Sequence, residues 1–307
     1  MGNISQSVRG LIFALIGGVC WGFSAACGQF LFVYYDLSPL WLSCVRLTFA
    51  GVLLLMTVLA VKAWRDSMFA LLKDRRDTIR LILFAFLGLT ACQISYLLAI
   101  KYSNAATATV LQYIGPVLIV IYVCFRCQHM PRMRELMAVA SVIIGTFLLA
   151  THGNPATMVL STQGLVWGLL AAVSVAAYTL LPMGLMSRYG SIPVAALAFL
   201  LGGLACTVAF RPWNIDVSLD VAGWLAVFAM ITIGSAIGFA FYLQGVSDVG
   251  ASKASLVASV EAVSATIFAV VWLHTAFSWI DIVGFCFIMA TVFLLMERKK
   301  KNKDHAE

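Results

Sequence analysis

Charged residues are scarce in this chain of 307 residues, where Asp, Glu, Lys and Arg together make up only 11%. Soluble domains carry about 25% charged residues. Because 62% of the residues are hydrophobic, a soluble globular protein would lack the polar surface needed to cover its core. The same hydrophobicity excludes intrinsic disorder, and eight cysteines are too few for a disulfide scaffold. A membrane protein is the class that remains.

Motifs for catalysis and cofactor binding are also missing. The sequence has no Gly-rich phosphate loop of the GxxxxGK[ST] type, which argues against ATP hydrolysis. Its single CxxC, at 124–127, is too little for a metal site. A catalytic set is missing as well, since Arg46 and Glu261 are the only charged residues near the middle of apolar segments. We therefore expect no enzyme activity, no metal and no cofactor.

Long apolar runs, by contrast, are abundant. A helix that crosses a bilayer needs about 20 mostly apolar residues. The sequence holds ten such segments, at roughly 10–32, 38–61, 79–100, 103–125, 134–150, 163–187, 192–210, 221–246, 252–273 and 279–296. We predict an all-helical integral membrane protein with ten transmembrane helices.

The basic residues indicate an orientation. With an even number of spans both termini lie on one side, and 17 of the 20 Lys and Arg residues then face that side. Only Lys101 and Arg211 fall on the other side, and Arg46 lies within a span. Since cytoplasmic segments are enriched in Lys and Arg, both termini are predicted to be cytoplasmic. Topology thereby accounts for the net charge of +7, and we expect no nucleic acid partner.

The sequence repeats itself at low identity. At an offset of 146 residues Gly88 aligns with Gly234, and the agreement continues without a gap over the last three spans of each half. At an offset of 154, Gly10 aligns with Gly164. The difference of eight residues matches a longer basic loop, which we place at 62–80.

Each half of the chain then contains five spans: the first repeat is 1–150, and the second is 151–307 with a basic cytoplasmic tail. An odd number of spans turns the second repeat upside down relative to the first. Inverted repeats are typical of secondary transporters, whose substrate site lies near the middle of the membrane between the repeats. The pattern favours a carrier that works by alternating access.

Several short segments resemble the drug/metabolite transporter superfamily, and within it the ten-span EamA family. They are Trp21-Gly22, Ser38-Pro39 followed by Arg46, the paired segments 105–111 and 251–257, and Ser259-Val260-Glu261. The sequence departs from the Glu-Pro motif of that family, because Ala262 follows Glu261 and Gly115 precedes Pro116. The resemblance implies export of small metabolites, often amino acids, through a central cavity between the repeats, in the inner membrane of a bacterium.

Arg46 and Glu261 are the two charged residues that we expect within the membrane. Each lies eight residues, about 12 Å along a helix, from one end of its span: Arg46 from the outer end and Glu261 from the inner end. Such a residue costs about 2.5–3.5 kcal/mol at the middle of a membrane, so it usually faces a cavity or a partner. Arg46 is a candidate for holding a substrate carboxylate, and Glu261 for a protonatable switch. The alternative is that each only fixes helix packing.

Polar and aromatic residues within the spans complete the candidate site. A cavity for an amphipathic metabolite needs aromatic walls and a few polar anchors. The candidates are Trp21, Gln93, Tyr96, Gln112, Tyr113, Trp167, Tyr178, Tyr242 and Ser259. Interfacial aromatic belts and helix contacts are the alternative roles of such residues.

The predicted function is efflux of amino acids or related small metabolites across the inner (plasma) membrane, with proton exchange as the coupling reaction. One alternative is uptake or facilitated diffusion of another small solute, such as a nucleobase or a sugar derivative. A more remote alternative is a membrane receptor or an intramembrane enzyme. The expected partners are the small-molecule substrate and the lipid bilayer, and the chain is expected to act as a monomer or a homodimer.

Overall fold

The structure is a computed structural model that describes residues 2–127, 133–154, 159–249, 254 and 257–295. Within these residues every regular element is helical. Six of the described helices are long and apolar enough to cross a membrane, and four shorter apolar helices accompany them. The prediction of an all-helical fold with several membrane spans is confirmed.

The helices of the two halves follow one another with short connections. The first half contains α1 (Gly2–Tyr35), α2 (Pro39–Ala60), α3 (Lys62–Lys73), α4 (Arg75–Leu83), α5 (Ala91–Tyr102), α6 (Ala105–Gln112), α7 (Gly115–Cys127) and α8 (Met133–Thr151). The second half contains α9 (Thr162–Leu180), α10 (Met183–Tyr189), α11 (Ser191–Phe210), a 3₁₀ turn (Pro212–Asn214), α12 (Val221–Ala229), α13 (Gly238–Val249), α14 (Val260–Val271) and α15 (Trp279–Leu295). Two π-helical segments, Phe84–Thr90 and Met230–Ile237, join α4 to α5 and α12 to α13.

Side-chain caps explain where four of these helices begin. In each case an oxygen of the N-cap residue accepts a hydrogen bond from the backbone amide three residues further on, which satisfies one of the free N–H groups of the first turn. The capping residues are Ser38, Asn104, Ser161 and Asp220. The same short polar residues separate the apolar runs in the sequence, so the helix starts follow from local chemistry.

Two spans that are continuous in the sequence are interrupted in the structure. The fourth span divides into α6 and α7 at Tyr113 and Ile114, directly before Pro116. The sixth span divides into α9 and α10 at Leu181 and Pro182. Proline lacks the N–H group that a continuous helix needs at these positions.

The segment that we interpreted as a basic loop contains a further helix. α3 occupies most of 62–80 and packs against α2, α4, α10 and α11. Its Met68 and Leu71, three residues apart and therefore on one face, are buried in the cluster formed by these helices. The loop interpretation was wrong because the charged residues of the segment obscured this apolar pair.

The packing follows the predicted repeat. α1 packs on α13 and α14, and its counterpart α9 packs on α5 and α7; α2 pairs with its own counterpart α11, as α8 does with α15. Close contacts repeat as well. A Cβ atom on Gly10 would lie 2.5 Å from Cβ of Asp248, and one on Gly164 would lie 2.9 Å from the carbonyl oxygen of Tyr102. These pairs correspond at the offsets of 154 and 146 residues, so exchanging the halves preserves the packing.

The two π-helical segments also correspond, since they begin 146 residues apart. Each contains one of the aligned glycines. A Cβ atom on Gly88 would lie 3.0 Å from Cα of Tyr178, and one on Gly234 would lie 2.3 Å from the hydroxyl oxygen of Ser24. Ser24 and Tyr178 are themselves 154 residues apart. Glycine is therefore required where each π-helical segment crosses the first helix of the other repeat.

Candidate functional site

A cavity of about 340 Å³ lies where the two repeats meet. Its walls come from both halves, with α1, α2, α5, α6 and α7 on one side and α9, α11, α13 and α14 on the other. Both π-helical segments also contribute to the lining, and π-bulges occur frequently at functional sites. The volume is at the lower end of the range of about 300–1,000 Å³ that is typical of small-molecule sites.

Arg46 forms the positively charged side of the cavity. Ser38 and Pro39 start α2 and thereby place Arg46 two turns further along the helix. Its side chain is buried, and Nε donates to the hydroxyl oxygen of Ser235 at 3.2 Å. Among the described residues this is the only hydrogen bond of the guanidinium group, which has five N–H donors in all. The remaining donors are available to a bound anionic group.

Glu261 forms the negatively charged side, in the first turn of α14. The Tyr113 hydroxyl approaches its Oε2 at 3.5 Å, which is the limit of a hydrogen bond. Glu261 and Arg46 interact electrostatically, but none of the salt bridges in the described part of the chain joins them. The cavity thus presents a positively and a negatively charged side chain that are not paired with each other.

Aromatic rings supply the walls of the cavity. The rings of Trp21 and Tyr242 pack with centroids 5.0 Å apart, which brings α1 against α13. Tyr96 is held in place because its hydroxyl shares a hydrogen bond of 2.6 Å with Thr109. Among the polar residues of the lining, Gln112 donates from Nε2 to the sulfur of Cys92 at 3.2 Å. The site thus combines apolar surface with few, well-fixed polar groups.

The structure brings together most of the residues that the sequence suggested. Nine of the eleven candidates line the cavity, namely Arg46, Glu261, Trp21, Gln93, Tyr96, Gln112, Tyr113, Tyr178 and Tyr242. Trp167 instead packs at the edge of a hydrophobic cluster with Ala171. Ser259 is buried beside the cavity-lining residue Ala258, at the N-cap of α14. The binding roles of the nine stay predictions.

Several residues of the lining were not candidates. Ser235 was not among the candidates, yet it is the hydrogen-bond partner of Arg46. The Ser24 hydroxyl is buried in the cavity wall and has no hydrogen-bond partner within the described residues. Phe199 and Phe239 add apolar surface, with ring centroids 6.4 Å apart. An unpaired hydroxyl cannot be recognised in a sequence, and Phe199 lies in an almost entirely apolar helix that gives no signal of which way it faces. Phe239 lies three residues before the candidate Tyr242 in α13, and this spacing could have identified it.

Polar and aromatic contacts lie near the end of the cavity that is predicted to be outside. Gln29 donates to the Thr275 hydroxyl at 2.8 Å and accepts from the backbone amide of Ala105 at 2.8 Å. The rings of Phe30 and Trp272 stack beside this group, with centroids 5.2 Å apart. These contacts join α1 to the start of α6 and to the segment between α14 and α15, so they hold both repeats together at this end.

A tyrosine–aspartate pair connects the repeats at each end of the molecule. In the outer pair the Tyr35 hydroxyl, at the end of α1, donates to Asp220 before α12; this bond lowers the pKa of Asp220. In the inner pair the Tyr189 hydroxyl, at the end of α10, donates to Asp77 in α4 at 3.0 Å. Asp77 also accepts from Arg188 at 2.6 Å. Tyr35 and Tyr189 are 154 residues apart, so they occupy corresponding positions of the two repeats.

Some sequence features lie outside the residues or side chains that the structure describes. They are the side chains of the CxxC at 124–127, His129 beside it, most of the segment 251–257, and the basic tail from 298 onward. Among the described residues no group of His, Cys, Asp or Glu has the arrangement of a metal site.

The chain is similar to known membrane transporters. The model of the EamA-like transporter family matches it twice, over residues 8–151 and 162–297. The uncharacterized inner membrane transporter YicL of Salmonella typhimurium is 34% identical over 287 residues, which cover 94% of this chain and 95% of that protein. A protein of known crystal structure shares the fold with a TM-score of 0.61, at 18% identity over 94% of this chain and 96% of the other.

A cavity between two helical repeats defines a carrier by its architecture, and the family match agrees. The chain belongs to the EamA-like transporter family. It is a multi-pass protein of the inner membrane. The family resemblance and the location predicted from the sequence are thereby confirmed.

Proposed function

We propose that this transporter exports amino acids or related small metabolites by alternating access, in exchange for protons. The observation that supports the substrate class is the placement of Arg46 and Glu261 in one cavity without a direct salt bridge between them. An amino acid carries a carboxylate for Arg46 and an ammonium group for Glu261. The aromatic walls provide apolar surface for its side chain. Hydrogen bonds to charged groups contribute about 1.5–3 kcal/mol each, enough to select a zwitterion.

The position of Glu261 in the cavity supports the proposal of proton exchange. When Glu261 is ionised it attracts the ammonium group of the substrate, and when it is protonated this attraction is lost. Proton and substrate therefore compete for the same carboxylate, which couples the movement of one to that of the other. The Tyr113 hydroxyl is the neighbour that holds this carboxylate.

The alternating-access cycle rests on a topology that we also propose: ten spans, five in each of the repeats 1–150 and 151–307, with both termini cytoplasmic. The six long and four shorter apolar helices supply the spans. The corresponding contacts of the two halves support their relation by an inverted repeat. In that arrangement the two repeats can exchange conformations, which opens the cavity first to one side and then to the other.

The test is transport into liposomes by the purified protein, with a panel of labelled amino acids, nucleobases and sugar derivatives, each with and without a pH gradient. We expect saturable amino acid transport that the gradient accelerates. Arg46→Gln should lower kcat/KM at least about tenfold, because a charge-assisted contact is lost. Glu261→Gln should remove the effect of the gradient. Asp216→Asn, at an exposed carboxylate in the connection before α12, is the control and should transport like the wild type.

Each part of the proposal has its own contradicting result. If no amino acid is transported in any gradient, the substrate class is wrong, and transport of a nucleobase or sugar derivative would favour the alternative function. If Glu261→Gln retains full transport that still depends on pH, Glu261 is not the proton-exchanging group. If the gradient drives accumulation of substrate together with protons, the direction of coupling is wrong.

A further inference from the structure

α3 has no counterpart in the second repeat. The connection at the corresponding position, between α11 and α12, contains only the 3₁₀ turn Pro212–Asn214 and includes the acidic residues Asp216 and Asp220. The first repeat instead carries a helix of 12 residues with basic residues along it. An element that one repeat has and the other lacks is not explained by the correspondence of the repeats, so it calls for a separate explanation.

The two faces of α3 differ in what they contact. One face holds Trp64, Met68 and Leu71, which pack into the cluster formed with the ends of the spans. The Ser67 hydroxyl donates to the carbonyl oxygen of Tyr189 at 2.7 Å and fixes the helix to the end of α10. This face is fully used by internal packing, so any partner must bind on the opposite one.

The opposite face, which we call the basic face, presents apolar and basic side chains together. Phe69 is 51% exposed and Leu72 is 44% exposed. At 3.6 residues per turn these two positions lie beside Lys62, Arg65 and Lys73, all three of which are exposed. Arg75 and Arg76 follow at the start of α4. Asp66 is the one acidic residue of α3, so the face is positively charged overall.

The connections of α3 keep this face at the surface of the membrane. Only Val61 separates α3 from α2, and only Asp74 separates it from α4. α2 is an apolar span, and α4 begins the span that continues to Tyr102; apolar side chains such as Leu59 and Ile79 are exposed close to the two junctions. These short connections hold α3 beside the ends of the two spans, so under the proposed topology its exposed phenylalanine and leucine lie near the membrane surface.

We propose that the basic face of α3 binds anionic phospholipid headgroups, with Phe69 and Leu72 inserted between the acyl chains and Lys62, Arg65 and Lys73 contacting the phosphates. The partner follows from charge complementarity, since basic residues beside exposed apolar ones are typical of helices that bind an anionic lipid surface. A soluble acidic protein would match the charges but would leave the two apolar side chains at the membrane surface without a role. Under the proposed topology this face lies on the cytoplasmic leaflet.

The binding can be measured on the purified full-length protein in neutral detergent. Phosphatidylglycerol or phosphatidylcholine is titrated in, and the bound lipid is counted by native mass spectrometry alongside the thermal midpoint. We expect phosphatidylglycerol to bind and to raise the midpoint more than phosphatidylcholine does. Lys62→Gln, Arg65→Gln and Lys73→Gln combined should weaken the binding of phosphatidylglycerol at least about tenfold. This measurement requires neither a substrate nor transport, so it can fail or succeed independently of the proposed function.

Two further variants separate charge from fold. The combination Lys62→Arg, Arg65→Lys and Lys73→Arg keeps the charges and should bind phosphatidylglycerol like the wild type. Arg211→Gln removes one basic residue from the opposite side of the molecule and should also leave the binding unchanged. The proposal is overturned if the wild type shows no preference for phosphatidylglycerol, or if the glutamine variant binds it as tightly as the wild type does.

Discussion

Gly22 shows how closely helices approach each other beside the cavity. A Cβ atom at this position would lie 2.0 Å from the Ser264 hydroxyl oxygen and 2.7 Å from backbone atoms of Glu261 and Ala265. The serine side chain can rotate away, but the backbone of α14 cannot move without displacing Glu261. Small residues at helix crossings allow such approaches in membrane proteins. Gly22 therefore fixes the distance between α1 and the turn that carries the buried carboxylate.

The substitution Gly22→Ala is expected to destabilise the protein by about 1–3 kcal/mol, the usual cost of overpacking, and to slow transport because Glu261 is displaced. Thermal unfolding in detergent measures the first effect. Gly184→Ala is the matched control, because a Cβ atom on Gly184 would meet nothing within 4 Å. Since alanine is the better helix former, we expect this variant to be as stable as the wild type or more stable by up to about 1 kcal/mol. A Gly22→Ala protein that unfolds at the wild-type temperature would contradict the close approach.

Single residues also show what a sequence can reveal about a membrane cavity. Arg46 and Glu261 are recognisable because a charge within an apolar span is costly and must be compensated. Phe199 is not recognisable, because its helix is almost entirely apolar and the hydrophobic period carries no direction. Phe239 lies three residues before the candidate Tyr242, on the same side of α13, and this spacing is the signal that was missed. Trp167 is the converse case, a polar-tipped aromatic residue that packs against a hydrophobic cluster and does not line the cavity. Charged residues within an apolar span can thus be recognised in the sequence, whereas only the packing of the helices decides which apolar residues line the cavity.

At the scale of the helices, the outer and inner tyrosine–aspartate pairs are expected to have corresponding roles at opposite ends. Tyr35→Phe removes the bond between α1 and the start of α12, and Tyr189→Phe removes the bond between α10 and α4. Each variant should increase local opening, and therefore amide hydrogen exchange, about two- to fivefold at its own end. Hydrogen exchange by mass spectrometry compares 211–224 with 74–83.

Each variant serves as the control for the other, because Tyr35→Phe should leave 74–83 unchanged and Tyr189→Phe should leave 211–224 unchanged. The pKa of Asp220 sets the pH range in which the outer pair stabilises its end of the molecule. The bond from Tyr35 lowers the pKa of Asp220. The stabilisation that this bond provides is therefore present at neutral pH and is lost as the pH falls through the lowered pKa. If either variant increased amide hydrogen exchange equally at both ends, the pairs would not act locally.

The sequence predicts some features of the helices and misses others. The positions of the spans follow from apolar runs, and their starts follow from capping residues such as Ser38 and Asp220. The π-helical segments Phe84–Thr90 and Met230–Ile237 have no sequence signal, because one extra residue in a turn does not change an all-apolar pattern. In the sequence, the aligned glycines Gly88 and Gly234 identify these two segments as corresponding positions of the repeats, but not as π-helical. α3 was missed for the opposite reason, since its charges concealed its apolar face.

At the scale of the whole molecule, the correspondence of the two halves is what makes alternating access physically plausible. Contacts of the first helix of each repeat recur in the other repeat, and so do the glycine contacts at the π-helical segments. If the repeats are inverted, a conformation of the first repeat that opens one side is available to the second repeat on the other side. α3 is the main departure from this symmetry, and it lies away from the cavity.

The proposed topology can be tested by fusing reporters to different points of the chain. Green fluorescent protein fluoresces only in the cytoplasm of bacteria, and alkaline phosphatase is active only outside it. We expect fluorescence for fusions after Lys73 and after residue 307, and phosphatase activity for fusions after Asp36 and after Asn154. The reason is the distribution of basic residues, since fusions at the first two points follow Lys- and Arg-rich segments and fusions at the other two do not. Phosphatase activity at residue 307 together with fluorescence after Lys73 would mean an odd number of spans and would remove the inverted repeat. If all four fusions gave the opposite result, the number of spans would stand, but the termini and the basic face of α3 would lie outside.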